Sequence, residues 1–181
     1  MLSRQRTEYD SKSREMVNLT AERVSTDRTD NFVYQRSVLA YSEAAKLVSG
    51  RVLEIGTGSG YGIRTIAASA DEFVTIDKFR SSAVDDLPAN TSFIEAKVPP
   101  LPFDDEVFDY VVSFQVIEHI RNDKQFVGEI LRVLKPGGKF IVTTPNRPMS
   151  LTRNPWHVRE YRPEELKALL SRFSSVKCKG V

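Results

Sequence analysis

The sequence is poor in the residues that build disulfides and metal sites. Its 181 residues include one cysteine, Cys178, and two histidines, His119 and His157. A single cysteine cannot form an internal disulfide, and it excludes the zinc sites that are built from several closely spaced cysteines. We therefore predict no metal site in this chain.

Long apolar stretches are also absent. The first residues, MLSRQRTEYDSK, are polar and charged and lack the apolar centre of a secretory signal. No apolar run approaches the roughly 18–20 residues of a membrane span. With 40% hydrophobic and 28% charged residues, the composition is typical of a single globular domain with a core. The sequence therefore predicts a cytoplasmic protein with no membrane partner.

Basic residues are concentrated near the C-terminus. Residues 146–181 contain eight basic and three acidic residues, whereas the whole chain has a net charge of +2. This excess favours an anionic small molecule as partner, although an ordinary solvated surface would have the same composition. It lacks the density and the interleaved aromatics of a nucleic-acid interface, so we do not expect a nucleic-acid partner.

Short apolar segments alternate with segments of helical periodicity. The predicted strands are RVLEI, EFVTID, TSFIEA, DYVVSFQ, KFIVTTP and SSVKCKGV. The predicted helices are VYQRSVLAYSEAAKLVSG, YGIRTIAASA, NDKQFVGEILRVLKPGG and RPEELKALLSRF. This alternation predicts an α/β fold with a doubly wound, mostly parallel sheet, which binds its ligand at the carboxyl ends of the strands. We expect residues 1–36 to be a lid or a flexible segment and residues 37–181 to be the ligand-binding domain.

The stretch VLEIGTGSGYG joins the first strand to the first helix of this pattern. It lacks the Lys-Ser/Thr pair of a phosphate-binding Walker loop. The dinucleotide pattern G-x-G-x-x-G fails too, because Tyr61 or Ile63 stands where the third glycine is needed. Glu54, at the end of the strand, would disfavour a pyrophosphate and suit a cationic group. The turn therefore predicts a ligand without phosphates.

Four motifs, in this order, resemble those of the class I S-adenosylmethionine-dependent methyltransferases, and of their small-molecule branch in particular. They are VLEIGTGSGYG, FVTIDKF, LPFDDEVFDYVVSFQVIEHI and ILRVLKPGGKFIVTTPN. The resemblance covers roughly residues 41–173. It implies a Rossmann-like methyltransferase fold, S-adenosylmethionine as cofactor, and methyl transfer to a small-molecule acceptor, most readily at oxygen.

The resemblance also implies cofactor contacts at the first two strands. The glycine turn would pass beside the methionine part of the cofactor, and Glu54 would support the turn from beneath. Asp77 would accept hydrogen bonds from the ribose hydroxyls, and Lys78 would lie beside the adenine. The turn residues are Gly56, Thr57, Gly58, Ser59 and Gly60.

One implied contact departs from the family pattern. Lys97 stands where the family has an acid that accepts from the adenine amino group, and a lysine side chain offers only donors. Adenine recognition would then use the backbone of Val98, or Glu95. The backbone of Phe114 and Gln115, at the end of the fourth strand, would receive the amino group of the methionine.

Catalytic and acceptor-binding candidates follow the fourth and fifth strands. His119, in VIEHI, would lie at the mouth of the site and could act as a general base. Alternatively, Glu118 and His119 cap the next helix or line the pocket. Glu118, in VIEHI, and His157 and Tyr161, in NPWHVREY, are candidate substrate contacts. Packing is an equal alternative for the latter two.

Tyr34, Arg36 and Tyr41 are candidate lid residues over the cofactor. The family sheet has a seventh, antiparallel strand, and this chain ends near the sixth, so the last strand is expected to be missing. We favour a truncated chain; the alternatives are a second chain that covers the exposed edge, as in a homo-oligomer, and an unusual short form.

Three other functions remain as alternatives. A methyltransferase acting on RNA or protein is disfavoured because FQVI replaces the Asn/Asp-Pro-Pro-Tyr type of tetrad after the fourth strand. A non-catalytic interaction module is favoured only by Lys97 and the short C-terminus. An NAD-dependent oxidoreductase is disfavoured by Tyr61 in the place of a glycine.

Overall fold

The computed structural model describes residues 31–150 and 154–180, with side chains from residue 34 onward. The five strands are β1 (Arg51–Ile55), β2 (Glu72–Asp77), β3 (Thr91–Glu95), β4 (Phe108–Phe114) and β5 (Leu134–Thr143). The four helices are α1 (Asn31–Ala45), α2 (Ile63–Ala67), α3 (Asp123–Val133) and α4 (Pro163–Leu169). Single 3-10 turns lie at Ser82–Val84, Ile117–His119 and Arg147–Met149.

All five strands run parallel, in the order β3-β2-β1-β4-β5. The chain therefore proceeds outward from β1 in one direction and then returns to build β4 and β5 on its other side. The crevice between β1 and β4 is the topological switch point, where such sheets bind their ligands. The glycine turn leaves the carboxyl end of β1 at this crevice.

Helices cover both faces of the sheet, as the predicted doubly wound fold requires. Alternating residues of β1 divide between two buried clusters: Val52 packs with α1 and α2, and Leu53 packs with α3 and α4. Both side chains are 0% exposed. The apolar run of each central strand is explained by this burial on both sides.

The predicted sixth strand, SSVKCKGV, is wrong. Residues 174–180 form no strand, although Val176 packs against the core. Its neighbours Lys177, Cys178 and Lys179 are exposed. A single apolar side chain buries too little surface to offset the entropy of ordering a strand.

The start of the fifth strand and the start of the helix after the glycines also differ from the prediction. The fifth strand begins at Leu134 instead of Lys139, because Leu134 pairs with Phe108 before the register shifts and Lys139 pairs with Tyr110. The residues between them, including Gly137 at φ 80°, form a bulge. The first helix after the glycines is short and begins at Ile63, since residues 61–62 still belong to the turn.

Helix α1 runs through the predicted boundary between residues 36 and 37. The flexible segment or lid expected at residues 1–30 lies outside the described residues. Within the part of the chain that the structure describes, no helix is both long and apolar enough to cross a membrane.

Candidate functional site

The three central positions of the turn require glycine for different physical reasons. All have positive φ, at 95° for Gly56, 53° for Gly58 and 73° for Gly60. A Cβ on Gly56 would lie 2.3 Å from Val116, and one on Gly60 would lie 2.3 Å from Ala83. A Cβ on Gly58 would meet nothing within 4 Å. Gly56 and Gly60 are thus required by packing, whereas Gly58 borders open space that a ligand can occupy.

A chain of buried hydrogen bonds supports this turn. Glu54 is 1% exposed and accepts hydrogen bonds from the Tyr41 and Thr75 hydroxyls, each at 2.6 Å. Because Thr75 donates to Glu54, the Thr57 hydroxyl donates to Thr75, also at 2.6 Å. Glu54 therefore lies beneath the turn and is connected to Thr57 in the turn itself.

Burial is the main cause of the raised pKa of the Glu54 carboxyl. Desolvation raises the pKa of the Glu54 carboxyl from 4.5 to about 7, although the hydrogen bonds from Thr75 and Tyr41 oppose this shift. Burial, together with the nearby Glu54, raises the pKa of Tyr41 as well. Tyr41 is 4% exposed and packs edge-on against Phe114 at 4.6 Å. The expectation that Tyr41 forms part of a lid is therefore wrong, because its side chain belongs to the core.

Asp77, at the end of β2, closes the turn from the other side. Its Oδ2 accepts from the Gly58 amide at 3.0 Å, and its Oδ1 accepts from the Phe79 amide at 3.1 Å. Glu95 is the partner of Asp77 on β3, so both carboxylates lie at the same end of the sheet. Lys78 is exposed beside the ring of Phe79, with its Nζ 5.0 Å from the centroid.

The segment after β3 lies at the same end of the sheet. The Ala96 amide donates to the Asp77 carbonyl at 2.8 Å, which brings Lys97 and Val98 next to the end of β2. Lys97 is exposed and Val98 is half-buried. A ligand that reaches from Gly58 past Asp77 would meet this segment.

Gln115 follows β4 with a positive φ of 55°, which is uncommon for a residue with a side chain. Its Nε2 donates to Thr143 at 3.1 Å. Its Oε1 is buried and has no hydrogen-bond partner among the described residues. An ammonium group bound at this strand end would satisfy that acceptor. The open space at Gly58, the carboxylate of Asp77 and this acceptor together fit a nucleoside that carries an amino acid.

The turn Ile117–His119 after β4 is bound to a second segment, residues 154–161. The carbonyl of Glu118 accepts from the amides of Val158 and Arg159 at 2.8 and 3.2 Å. The Glu118 carboxylate, 0% exposed, accepts from the Thr144 hydroxyl at 3.0 Å. His119 Nδ1 lies 3.0 Å from the carbonyl oxygen of Trp156. Glu118 is therefore a buried residue that holds two loops together.

His157 completes this cluster. Its ring lies 5.0 Å from that of His119, and its Nδ1 is 2.8 Å from Oε1 of Glu160. A cavity of about 380 Å³ lies beside it, lined by residues that include Arg147, His157, Arg159 and Glu160. Each of the two guanidinium groups also pairs with a carboxylate, Arg147 with Glu165 at 3.3 Å and Arg159 with Asp123 at 3.2 Å.

Tyr161 does not line this cavity. Its side chain is 2% exposed within the core, and its hydroxyl donates to Asp123 at 3.0 Å. Burial, followed by the charge of Asp123, raises the pKa of Tyr161. The side chain of Tyr161 therefore has a packing role and no contact with this cavity. Trp156, by contrast, is 53% exposed at the surface.

Several residues of the site were missed in the sequence. Thr75 and Glu160 bind predicted site residues, and Arg147 lines the cavity. Thr75 lies within the motif FVTIDKF and Glu160 within NPWHVREY, but neither was singled out there, and Arg147 follows the last motif. Glu160 lies three residues after His157, and this spacing is the one local signal that could have paired them. Thr75 is separated from Glu54 by 21 residues, and no local pattern connects the two.

Comparisons with known proteins show which family the sequence is similar to. Residues 53–142 match a family described as a methyltransferase domain. A protein of Mycolicibacterium smegmatis named "Probable S-adenosylmethionine-dependent methyltransferase" is 38% identical over 150 residues, which are 78% of this chain and 58% of the relative. A ubiquinone biosynthesis O-methyltransferase of Rickettsia typhi is 27% identical over 124 residues, 64% of this chain and 48% of the relative.

Among solved structures, the YcgJ protein of Bacillus subtilis superposes with a TM-score of 0.65 at 23% identity. The match covers 75% of this chain and 67% of YcgJ, and it shows the likeness of the fold. The chain spans a little more than half the length of the curated mycobacterial relative it matches.

Proposed function

The chain belongs to the class I S-adenosylmethionine-dependent methyltransferases, and from this premise we propose that it transfers a methyl group from S-adenosylmethionine to an oxygen atom of a small-molecule acceptor. One observation carries the proposal. Of the three central glycines of the turn, Gly58 alone faces open space, and its amide lies 3.0 Å from the carboxylate of Asp77. This is where a ribose and its attached methionine can approach the backbone.

The chain's own residues would hold the cofactor at three points. Asp77 would accept hydrogen bonds from the ribose hydroxyls, while Glu54 would keep the turn in place through Thr75 and Thr57. Gln115 would receive the ammonium group at the end of β4. The exposed Lys97 cannot accept from adenine, so the proposed acceptor is the backbone at Val98.

S-adenosylmethionine supplies a methyl group that is already activated by its sulfonium charge, so catalysis by the protein consists largely of positioning the acceptor. The cavity beside His157 is the proposed acceptor site, and Arg147 and Arg159 would bind an anionic group of the acceptor. An oxygen nucleophile must also lose its proton. Nε2 of His119 is the proposed base, because its Nδ1 donates to the Trp156 carbonyl and the lone pair is then on Nε2.

The relative that acts in ubiquinone biosynthesis is named as an O-methyltransferase and supports the choice of oxygen. An acceptor screen with anionic phenols and hydroxy acids would test this choice, by following the transfer of labelled methyl groups from the cofactor. Transfer to hydroxyl acceptors is expected. Transfer only to amines, RNA or protein would contradict it.

The cofactor site is tested by two matched substitutions, Gly58→Val and Gly137→Val. Both glycines have positive φ, 53° and 80°, and at both a Cβ would meet nothing within 4 Å. The backbone strain is therefore similar, but Gly137 lies at the opposite end of the sheet, beside the start of β4. Calorimetric titration with S-adenosylmethionine should show binding by wild type and Gly137→Val, and no binding by Gly58→Val.

Asp77→Ala should weaken the same binding by roughly 1–3 kcal/mol, the scale for losing a charged hydrogen-bond acceptor. NADH serves as the control ligand and should not bind. Equal affinity of wild type and Gly58→Val, or preferential binding of NADH, would refute the assignment of the site.

A further inference from the structure

Glu118, His119 and His157 come together although the third residue is 38 positions from the second in sequence. One potential ligand atom of each residue lies within 4.8 Å of those of the other two. No other group of three such residues among positions 31–150 and 154–180 meets the same distance criterion. The site is partly or fully buried, since Glu118 is 0% exposed and the side chain of His157 is 5% exposed.

The hydrogen bonds of the two imidazoles determine which ring nitrogen has the lone pair. The Trp156 carbonyl can only accept, so His119 Nδ1 donates to it at 3.0 Å. The Glu160 carboxylate likewise accepts from His157 Nδ1 at 2.8 Å. In the neutral imidazoles, Nε2 is then the unprotonated nitrogen of both rings. Metal-binding histidines are held in the same way, with one ring nitrogen donating to a carbonyl or carboxylate and the other on the metal.

The third member of the cluster is also oriented. Thr144 donates to Oε2 of Glu118 at 3.0 Å, and the backbone of the same residue binds the amides of Val158 and Arg159. A carboxylate that is fully buried costs free energy unless positive charge or hydrogen bonds compensate it. A divalent cation beside Glu118 would add positive charge to the hydrogen bond from Thr144.

We propose that Glu118, His119 and His157 bind a first-row divalent transition-metal ion, with zinc as the reference ion. Two imidazoles and one carboxylate are the protein ligands of open zinc sites, which leave a position for water or substrate. Imidazoles favour zinc, cobalt or nickel over magnesium and calcium. With bonds of ~2.0–2.1 Å to the metal, the ligand atoms would lie about 3.4 Å apart, so separations that are at most 4.8 Å would shorten by up to ~1.4 Å on binding.

The proposed ion would be held beside the cavity lined by Arg147 and Arg159. A hydroxyl bound to a divalent cation has a lowered pKa, so the ion would take the place of a base for an oxygen acceptor. His119 would then be a ligand and not a proton acceptor. Binding of the metal itself does not depend on the proposed methyl transfer, and it can be measured without cofactor or acceptor.

Titration of chelator-treated protein with Co²⁺ tests the site directly. This chain has two histidines and one exposed cysteine, so the titration uses the Cys178→Ser chain without added histidines, in which the visible absorption of imidazole-bound cobalt reports on His119 and His157. We expect saturation at one equivalent, displacement by Zn²⁺, and shifts of both histidine ring signals in the proton NMR spectrum on adding Zn²⁺.

Substitutions distinguish the proposed metal ligands from the residue that only positions one of them. Glu118→Gln and His157→Ala should each lower Co²⁺ affinity at least 100-fold, and Glu160→Gln, which removes a positioning carboxylate, about 10- to 100-fold. Asp86→Asn, a matched control at a side chain that is 91% exposed, should not change it. Circular dichroism identifies variants that fail to fold, and the wild-type NMR shifts give a result independent of any variant.

Absence of saturable cobalt absorption in the folded wild-type protein would overturn the proposal. Equal affinity of His157→Ala, Asp86→Asn and wild type would do so as well. The two proposals fail separately: binding of Co²⁺ without binding of S-adenosylmethionine would refute the proposed function and support the metal site. The reverse result would refute the metal site alone.

Discussion

Glu54 offers a quantitative test of the support beneath the glycine turn. Its carboxyl group is 1% exposed, and burial raises its pKa from 4.5 to about 7. The folded protein therefore binds this proton more tightly than the unfolded chain does. The stabilisation from the protonated group is fully present below pH ~4.5 and is lost as the pH rises through 7.

The structure also sets the magnitude. A pKa rise from 4.5 to about 7 corresponds to about 3 kcal/mol of unfolding free energy, at ~1.4 kcal/mol per pKa unit. Glu54→Gln replaces the carboxyl with an amide of similar shape that does not titrate. The free energy of unfolding of wild type, relative to Glu54→Gln, should therefore fall by about 3 kcal/mol between pH 4 and pH 8.

Urea denaturation followed by circular dichroism measures both proteins across this range. The difference between them cancels the titration of all other groups, provided that the slope against urea is the same. A difference independent of pH would refute the reasoning. A difference of opposite sign would mean that the hydrogen bonds from Tyr41 and Thr75 outweigh desolvation and that Glu54 is ionised in the folded protein.

Two further predictions concern stability. Gly62→Ala should destabilise the protein by at least ~2 kcal/mol in thermal or urea unfolding, because its Cβ would lie 2.0 Å from the Tyr41 ring at an ordinary φ of −90°. Gly128→Ala is the control on α3, where the nearest atom is 3.5 Å away, and it should stabilise by about 0.5–1 kcal/mol through helix propensity. Arg132→Leu should cost roughly 1–3 kcal/mol, because the guanidinium donates to the carbonyls of residues 101 and 103 at 3.0 and 2.7 Å, and unchanged stability would contradict this.

Features carried by local patterns could be predicted from the sequence. The apolar runs of the first five strands predicted the parallel α/β sheet, which the structure confirms. The glycines after the first strand and the acid at the end of the second predicted the place of its ligand, and this stays a prediction. These features depend on backbone conformation and on residues close in sequence. The same reasoning failed at SSVKCKGV, because an alternating pattern shows which side chains could be buried and not whether a core is available to bury them.

Only the tertiary structure distinguished the roles of residues that are alike in sequence. Gly56, Gly58 and Gly60 form one repeating pattern, but Val116 and Ala83, which lie far along the chain, leave open space at Gly58 alone. Tyr41, on α1, belongs to the core, where its hydroxyl donates a hydrogen bond to Glu54 on β1.

The cluster of Glu118, His119 and His157 was decided in the same way. The sequence by itself determined that two histidines follow strand ends, and it led to the expectation of no metal site because cysteines are lacking. The backbone bonds between Glu118 and the amides of Val158 and Arg159 bring the two segments together. Contacts between distant segments depend on how the whole chain packs, and a local pattern contains no information about that packing.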